Sequence, residues 1–376
     1  MTTSNTVKAS SNLGRSRQTI ANFGGLNPLR NLDGYRTAES VSPKHPDKLC
    51  DRISDAILDA HLAEDENARV AVDVAGGHGK VFVAAEITSR AKNVNIEKIV
   101  HRIAGDQVEV VLSVVSQSPE IAQGVDTGGA GDQGIMIGYA TDETPELLPR
   151  EVVLSRNLNK FIYEKYPYDG KTQVTLHGRD IDSIVASFQN VSQGDLRNRI
   201  LAWLIQEQLA TSADGEDLLA QKDDNVVNTE SKTPIVLHVN PAGDWNLGGF
   251  DADSGLTGRK LAVDNYGPSI PVGGGAFSGK DPSKVDRSAA YIARRIAVDY
   301  LRERGAHEVY VRLAYAIGYA EPLERTVIID GIAEEIPAER YDLTPRGIIK
   351  TLDLLRPIYE QTAEYGHFGE GFDWDK

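Results

Sequence analysis

Val70-Ala71-Val72-Asp73-Val74-Ala75 runs into Gly76-Gly77-His78-Gly79 and resumes as Lys80-Val81-Phe82-Val83-Ala84-Ala85-Glu86-Ile87. Large apolar residues recur at every second position on both sides of a glycine turn, the period of a half-buried β-hairpin. Upstream, His45-Pro46-Asp47-Lys48 opens a different period, with Pro46 suited to a first helical position and Asp47 to the positive end of a helix dipole. Leu49, Ile53, Ile57 and Ala60 follow at helical spacing. Asp51, Asp55 and Asp59 form the opposite stripe, which reads as a solvated face rather than a metal site.

Working outward, strand-like stretches lie near 108–115, 135–139, 173–176, 235–239 and 309–316. Helical patterns run near 96–103, 196–209, 286–304 and 344–365. Hairpins interleaved with helices, without strict strand-helix alternation, predict an α+β class with helices on mixed sheets. A chain of 376 residues exceeds the usual limit of one core. Glycine-rich stretches near 122 and 248 suggest an N-terminal domain over 37–122, a central domain over 123–248 and a C-terminal domain over 249–376.

Residues 1–36 stand apart, with Lys8, Arg15, Arg17, Arg30 and Arg36 opposed only by Asp33. They read as a disordered basic tail, with an organelle transit peptide as the alternative. The net charge of −15 argues against a nucleic-acid binder. No apolar run is long enough to span a membrane. Cys50 is the only cysteine, which excludes an intrachain disulfide framework and fits a reducing cytoplasm.

Two generic nucleotide motifs fail their own tests. Gly129-Ala130-Gly131-Asp132-Gln133-Gly134 satisfies the dinucleotide pattern, yet a polar stretch precedes it and strand-like Ile135 to Tyr139 follows. Gly274-Gly275-Ala276-Phe277-Ser278-Gly279-Lys280-Asp281 resembles a P-loop but has Asp where magnesium requires Ser or Thr. Its glycines still suit an anion cradle, with Lys280 and Lys284 adding charge. Lys171 in Asp169-Gly170-Lys171 and Arg259-Lys260 after Gly255-Leu256-Thr257-Gly258 are further cations among glycines. A triphosphate carries about four charges and one cation at ~4 Å offers roughly 4 kcal/mol, so several cations and a metal are needed together. Asp47 and Asp286 are suitable oxygen ligands for Mg²⁺, and His45 could donate to a phosphate or leaving oxygen. The alternative for His45 is a helix start facing water.

These segments, in this order, resemble the methionine adenosyltransferase (S-adenosylmethionine synthetase) family. The likeness rests on Glu39-Ser40-Val41-Ser42 with His45-Pro46-Asp47-Lys48, on Gly129 to Gly134, on Gly255 to Lys260 and on Gly273 to Tyr291. It extends through Tyr315-Ala316-Ile317-Gly318 and Tyr365-Gly366-His367-Phe368-Gly369. The resemblance implies three similar domains of mixed or antiparallel sheet with helices, arranged around a pseudo-threefold axis. It also implies active sites shared between subunits of a dimer, or of a dimer of dimers.

The reaction so implied is ATP + L-methionine + water to S-adenosylmethionine + pyrophosphate + phosphate, by thioether attack on C5′ and hydrolysis of the triphosphate. A neutral nucleophile and a polyanionic leaving group place the burden on positioning and electrostatics. By resemblance, His45 sits by the 5′ oxygen and Lys171, Arg259, Lys260 and Lys280 bind phosphates. Asp132, Asp169, Asp244, Trp245, Asp253 and Ala276 are placed at ATP. Glu86, Gln117, Asp253 and Lys284 are placed at methionine, with Asp47 and Asp286 holding two Mg²⁺ ions.

Three departures carry expectations. Asp73 stands where the family commonly has the Glu that binds K⁺, so K⁺ activation is expected to be weak or absent. Trp245 replaces the usual Phe and should preserve stacking on adenine. The segment from Gln117 to Gly129 is shorter than the family's closing loop, which predicts a raised methionine KM or tolerance of bulkier S-alkyl analogues. The competing functions are a methionine-independent ATPase and a non-catalytic regulatory homologue.

Overall fold

The computed structural model describes residues 32–116, 128–207, 209, 226–227 and 234–376. Gln117, the shortened segment and nearly all of the basic start lie outside them. Arg36, grouped above with that start, is a buried residue of β1 (Tyr35–Val41), where its guanidinium meets Glu143 at 2.7 Å and Glu151 at 2.9 Å.

The Val70 run forms the predicted hairpin, β2 (Arg69–Gly77) and β3 (Lys80–Thr88), with Val70, Val72, Val74, Val81 and Val83 turned into the core. Helix α2 (Ile96–Ala104) then returns the chain so that β4 (Glu109–Val115) lies parallel to β3. With β10 (Gly255–Leu256) these strands make a four-stranded sheet in the order β10-β2-β3-β4.

A second sheet repeats the pattern. Strands β6 (Gly170–His177) and β7 (Asp180–Phe188) pair antiparallel, α4 (Gln193–Gln206) follows, and β9 (Ile235–Val239) returns parallel to β7. Its order is β1-β6-β7-β9-β8, with β8 covering Val226–Val227. The third sheet, β13-β12-β11-β5, is antiparallel throughout and uses β5 (Gly134–Thr141), β11 (Glu308–Tyr315), β12 (Glu324–Ile329) and β13 (Ile332–Glu335). The α+β class and the three-domain organisation therefore hold. The sheets do not follow chain order, because β1 completes the second sheet and β5 the third.

Helix α1 (Pro46–Glu64) packs on β2, α3 (Arg150–Lys165) on β1 and β6, and α6 (Val285–Arg304) on β5 and β11. One large apolar cluster joins the first and third sheets through α1 and α6, and a smaller one fills the second sheet under α3 and α4. Among the described residues between α4 and α6 lie a 3-10 turn, Gly249–Asp251, and one short α-helix, α5 (Leu261–Asp264).

The helical pattern expected over 344–365 is broken into α7 (Pro345–Leu352) and α8 (Thr362–Tyr365). Asp353 adopts a left-handed conformation at the end of α7, φ 49°, and Pro357 follows, a combination that stops a helix. Among the described residues no helix is long and apolar enough to cross a membrane.

Candidate active site

Two clusters of charged side chains meet on either side of α1. The first surrounds its N-terminus. His45 is the N-cap, and its Nδ1 accepts the amide proton of Asp47 at 3.2 Å. Asp47 Oδ1 accepts the Leu256 amide at 3.0 Å, and Oδ2 accepts from the Lys260 ammonium. Arg259 approaches the same carboxylate at 3.6 Å with about half of its side chain exposed. Lys171 enters from β6 because β1 and β6 pair Val41 with Lys171, at the start of the turn that leads to His45.

Two more acids complete this cluster. Asp169 Oδ2 receives the Gly249 amide at 2.9 Å, and burial raises its pKa. The charge of Asp253 is felt by both Asp169 and His45.

Burial, followed by the charges of Lys260 and Lys171, pushes the His45 imidazole down to about 3. The ring is therefore neutral. Burial alone would raise the Asp47 carboxyl, but the Lys260 and Leu256 hydrogen bonds prevail and hold it below its ordinary value. An ionised carboxylate, a neutral imidazole and three cations thus share the positive end of a 19-residue helix.

The second cluster lies where the glycine cradle crosses α6. Lys280 Nζ meets Asp286 Oδ2 at 2.6 Å, and Lys284 pairs with Asp281. A Cβ on Gly275 would stand 2.1 Å from the Asp286 carboxylate carbon, and one on Gly134 would stand 3.3 Å from its Oδ1. Cradle, hexapeptide and Asp286 are therefore in contact. The hexapeptide does run into a strand, β5, and Asp132 lies exposed in it. Ala276 packs against Gly258, so the two basic loops touch.

Glu86 joins this second cluster by register. Lys280 bridges to Ala71, which pairs with Glu86, so the three occupy one row across the sheet. Asp73 is exposed on the same face, opposite Ala84. Trp245 is half-buried beside the first cluster's β6–β7 hairpin, with Nε1 donating to Ser187 Oγ at 3.1 Å. Asp244 caps the neighbouring helix start by accepting from the Gln193 amide at 2.9 Å.

The acidic stripe of α1 corrects the sequence expectation. Asp51 and Asp55 are buried and Asp59 nearly so, because each carboxylate receives backbone amides of loops from the C-terminal third. Asp51 takes the Gly258 amide at 2.8 Å, Asp55 the Gly279 amide at 2.8 Å, and Asp59 the amides of Tyr359 and Glu360. Lys48 adds a buried ion pair with Asp264 at 2.7 Å and lies 3.5 Å from Asp51. Period alone cannot tell a wet polar face from one that binds loops. The overlooked signal was that Asp47, Asp51, Asp55 and Asp59 are spaced four apart, so the stripe starts at a site residue.

Known proteins resemble the chain along nearly its whole length. Residues 33–117, 127–245 and 247–376 match the N-terminal, central and C-terminal domains of S-adenosylmethionine synthetase. The chain belongs to the S-adenosylmethionine synthetase family. Among its relatives, the S-adenosylmethionine synthase of Nocardia farcinica is 43% identical over 89% of this chain and 92% of its own length. S-adenosylmethionine synthase 1 of Frankia casuarinae and the S-adenosylmethionine synthase of Salinibacter ruber are each 41% identical, covering 90% of this chain and 95% of theirs. The S-adenosylmethionine synthetase match thus embraces both clusters and the three sheets that carry them.

Proposed function

We propose that the two clusters are complementary halves of one site for methionine adenosyltransfer, the reaction that family membership gives this chain. The single observation that carries the reading is the convergence of Lys171, Arg259 and Lys260 on the N-terminus of α1, beside a neutral His45. With Nδ1 engaged by Asp47, the neutral ring holds its proton on Nε2 and offers it to the bridging 5′ oxygen of ATP. The three cations take the polyphosphate, and stabilise it more as it departs and its charge grows. Trp245 offers a π surface to adenine, with Asp169, Asp244, Asp253, Asp132 and Ala276 around the nucleotide. Glu86, Lys284 and Gln117 are assigned to methionine, whose sulfur needs orientation and no base.

The donor set suits Mg²⁺. Among the described residues no group of three or more His, Cys, Asp or Glu forms a metal site of its own. Asp47 and Asp286 instead stand singly beside a lysine, which matches an ion that takes one or two carboxylates and completes its shell with phosphate oxygens and water. Such ions would neutralise polyphosphate charge. A K⁺ site at Asp73 would find few oxygens on its sheet face, where Ala71, Ala75 and Ala84 are its neighbours and the diagonal Glu86 is assigned to methionine.

Asp47 and Asp55 anchor the two clusters two helical turns apart, ~12 Å along α1. From family membership we infer that a second copy of the chain supplies the complementary half, as a dimer or dimer of dimers. Exposed Phe82, Val111 and Val115, on the sheet face that carries Glu86, support self-association there. A reducing cytoplasm suits the lone buried Cys50.

The test is incubation with ATP, L-methionine, Mg²⁺ and K⁺, quantifying S-adenosylmethionine, pyrophosphate and phosphate separately. Equal amounts of all three are expected. Phosphate release without methionine would overturn the reading in favour of an ATPase, and untouched ATP in favour of a regulatory homologue.

A further inference from the structure

In the middle of α1, Asp55 forms a two-pronged ion pair with Arg287 of α6 at 2.6 and 2.8 Å, and both side chains are 0% exposed. The pair is attached directly to the segment that carries Lys280. Asp55 Oδ1 also accepts the Gly279 amide at 2.8 Å, and Arg287 Nη1 also donates to the Lys280 carbonyl at 3.2 Å. The Gly279–Lys280 backbone is thus held at its leading amide by the acid and at its trailing carbonyl by the base.

The remaining donors of Arg287 are committed as well. Nη2 reaches Thr362 Oγ1 at 3.1 Å, Nε reaches the Tyr291 hydroxyl at 3.0 Å, and the guanidinium lies 4.3 Å over the Tyr359 ring. A guanidinium has five N–H groups, and here all five are occupied by protein. Arg287 has none left for a phosphate, so it cannot be a ligand itself.

Gly279 shows why the hold is needed. It adopts φ +82°, and its carbonyl accepts the Val72 amide at 3.0 Å. This left-handed residue turns the chain out of the cradle immediately before Lys280, and a rotation there would swing the ammonium away from Asp286.

We propose that Asp55 and Arg287 are positioning residues that aim Lys280 at the polyphosphate. The proposal rests on the assignment of Lys280 as a phosphate ligand. The planar fork matters as much as the charge, because only a guanidinium can grip both carboxylate oxygens and still reach the Lys280 carbonyl.

The experiment is a coupling measurement on the full-length protein, by calorimetric titration with inorganic tripolyphosphate and Mg²⁺. Asp55→Asn is made in the wild type, in Lys280→Met and in Arg259→Met, and thermal unfolding confirms that each variant is folded. A positioning role predicts that Asp55→Asn weakens tripolyphosphate binding about tenfold in the wild type and in Arg259→Met, but less than about twofold once Lys280 is gone. A residue that merely supports the fold would cost the same in all three backgrounds, and that result, or no loss in any, overturns the proposal.

Should Asp55→Asn not fold, Arg287→Lys asks the same question, because it keeps the charge pair but loses the second prong. Its loss must likewise vanish in Lys280→Met. Turnover of the wild type separates the two claims. A chain that makes S-adenosylmethionine but shows additive losses overturns the positioning role alone. One that neither turns over nor binds tripolyphosphate overturns the functional reading with it.

Discussion

His45 Nδ1 accepts the amide proton of Asp47 at 3.2 Å, so the residue that caps α1 is also the one whose ring feels the charges of Lys260 and Lys171. Capping fixes the tautomer, and burial with Lys260 and Lys171 keeps the ring neutral by pushing its pKa down to about 3. In an NMR titration of the ligand-free protein, the His45 ring signals should stay flat from pH 8 to 5. A midpoint near 6.5 would refute the assignment.

The same shift has a signed effect on stability. The unfolded chain protonates His45 below about pH 6.5 while the fold resists until about 3, so between these values the unfolded state binds more protons. Acidification through that window must destabilise the protein on this residue's account. His45→Asn retains a capping side chain without the titration. Its stability should fall less than the wild type's between pH 6.5 and 4.5, by up to about 2 kcal/mol, as measured by urea unfolding. Equal losses would mean that His45 titrates alike in both states.

What could be read in advance divides along physical lines. The Val70 to Ile87 hairpin was legible because a buried strand face imposes period two, and both strands follow it. Lys171, Arg259, Lys260 and Lys280 stood out as cations among glycines in an acidic chain. The roles of Asp51 and Asp55 were not legible, because their partners are backbone amides more than 200 residues away and amides leave no mark in a sequence. The insertion of β1 into the second sheet was hidden for the same reason, since strand pairing across 130 residues has no local signature.

Lys48 tests how much the buried charges matter to the fold. Its side chain is 1% exposed, with Asp264 at 2.7 Å and Asp51 at 3.5 Å. Lys48→Met would strand two carboxylates in a low-dielectric interior, a loss of roughly 3–5 kcal/mol. Adding Asp264→Asn should restore part of that stability in chemical denaturation, because it removes one uncompensated charge. A double variant no more stable than the single one would show that the acids had found other partners.

The stacking proposed for Trp245 can be observed directly. Trp203 and Trp374 are buried, whereas Trp245 is half-exposed and held by Ser187. ATP should therefore change tryptophan fluorescence through this residue. Trp245→Ala should weaken ATP binding by about tenfold, on the scale of a lost base–aromatic stack, while Trp245→Phe recovers most of it. Unchanged fluorescence together with wild-type affinity in the alanine variant would remove Trp245 from the site.

Gly275 provides a probe of Asp286 that leaves the carboxylate itself in place. A Cβ at position 275 would overlap the Asp286 side chain at 2.1–2.4 Å, and a real Cβ does not approach so closely. Either the carboxylate turns away from Lys280, breaking their 2.6 Å contact, or the cradle shifts outward. Both displace one of the two acids assigned to Mg²⁺ from the cation assigned to phosphate. Because the backbone at Gly275 does not require a left-handed conformation, the substitution adds no torsional strain, and the fold should survive with a loss of about 1 kcal/mol. Gly275→Ala should accordingly need more Mg²⁺ for half-maximal rate and lose at least about tenfold in kcat, in keeping with a misplaced electrostatic group. The neighbouring Gly274 has open space at its Cβ, so Gly274→Ala is the control and should behave as wild type. If both variants kept the wild-type Mg²⁺ requirement and rate, Asp286 could not be the group through which this cradle acts.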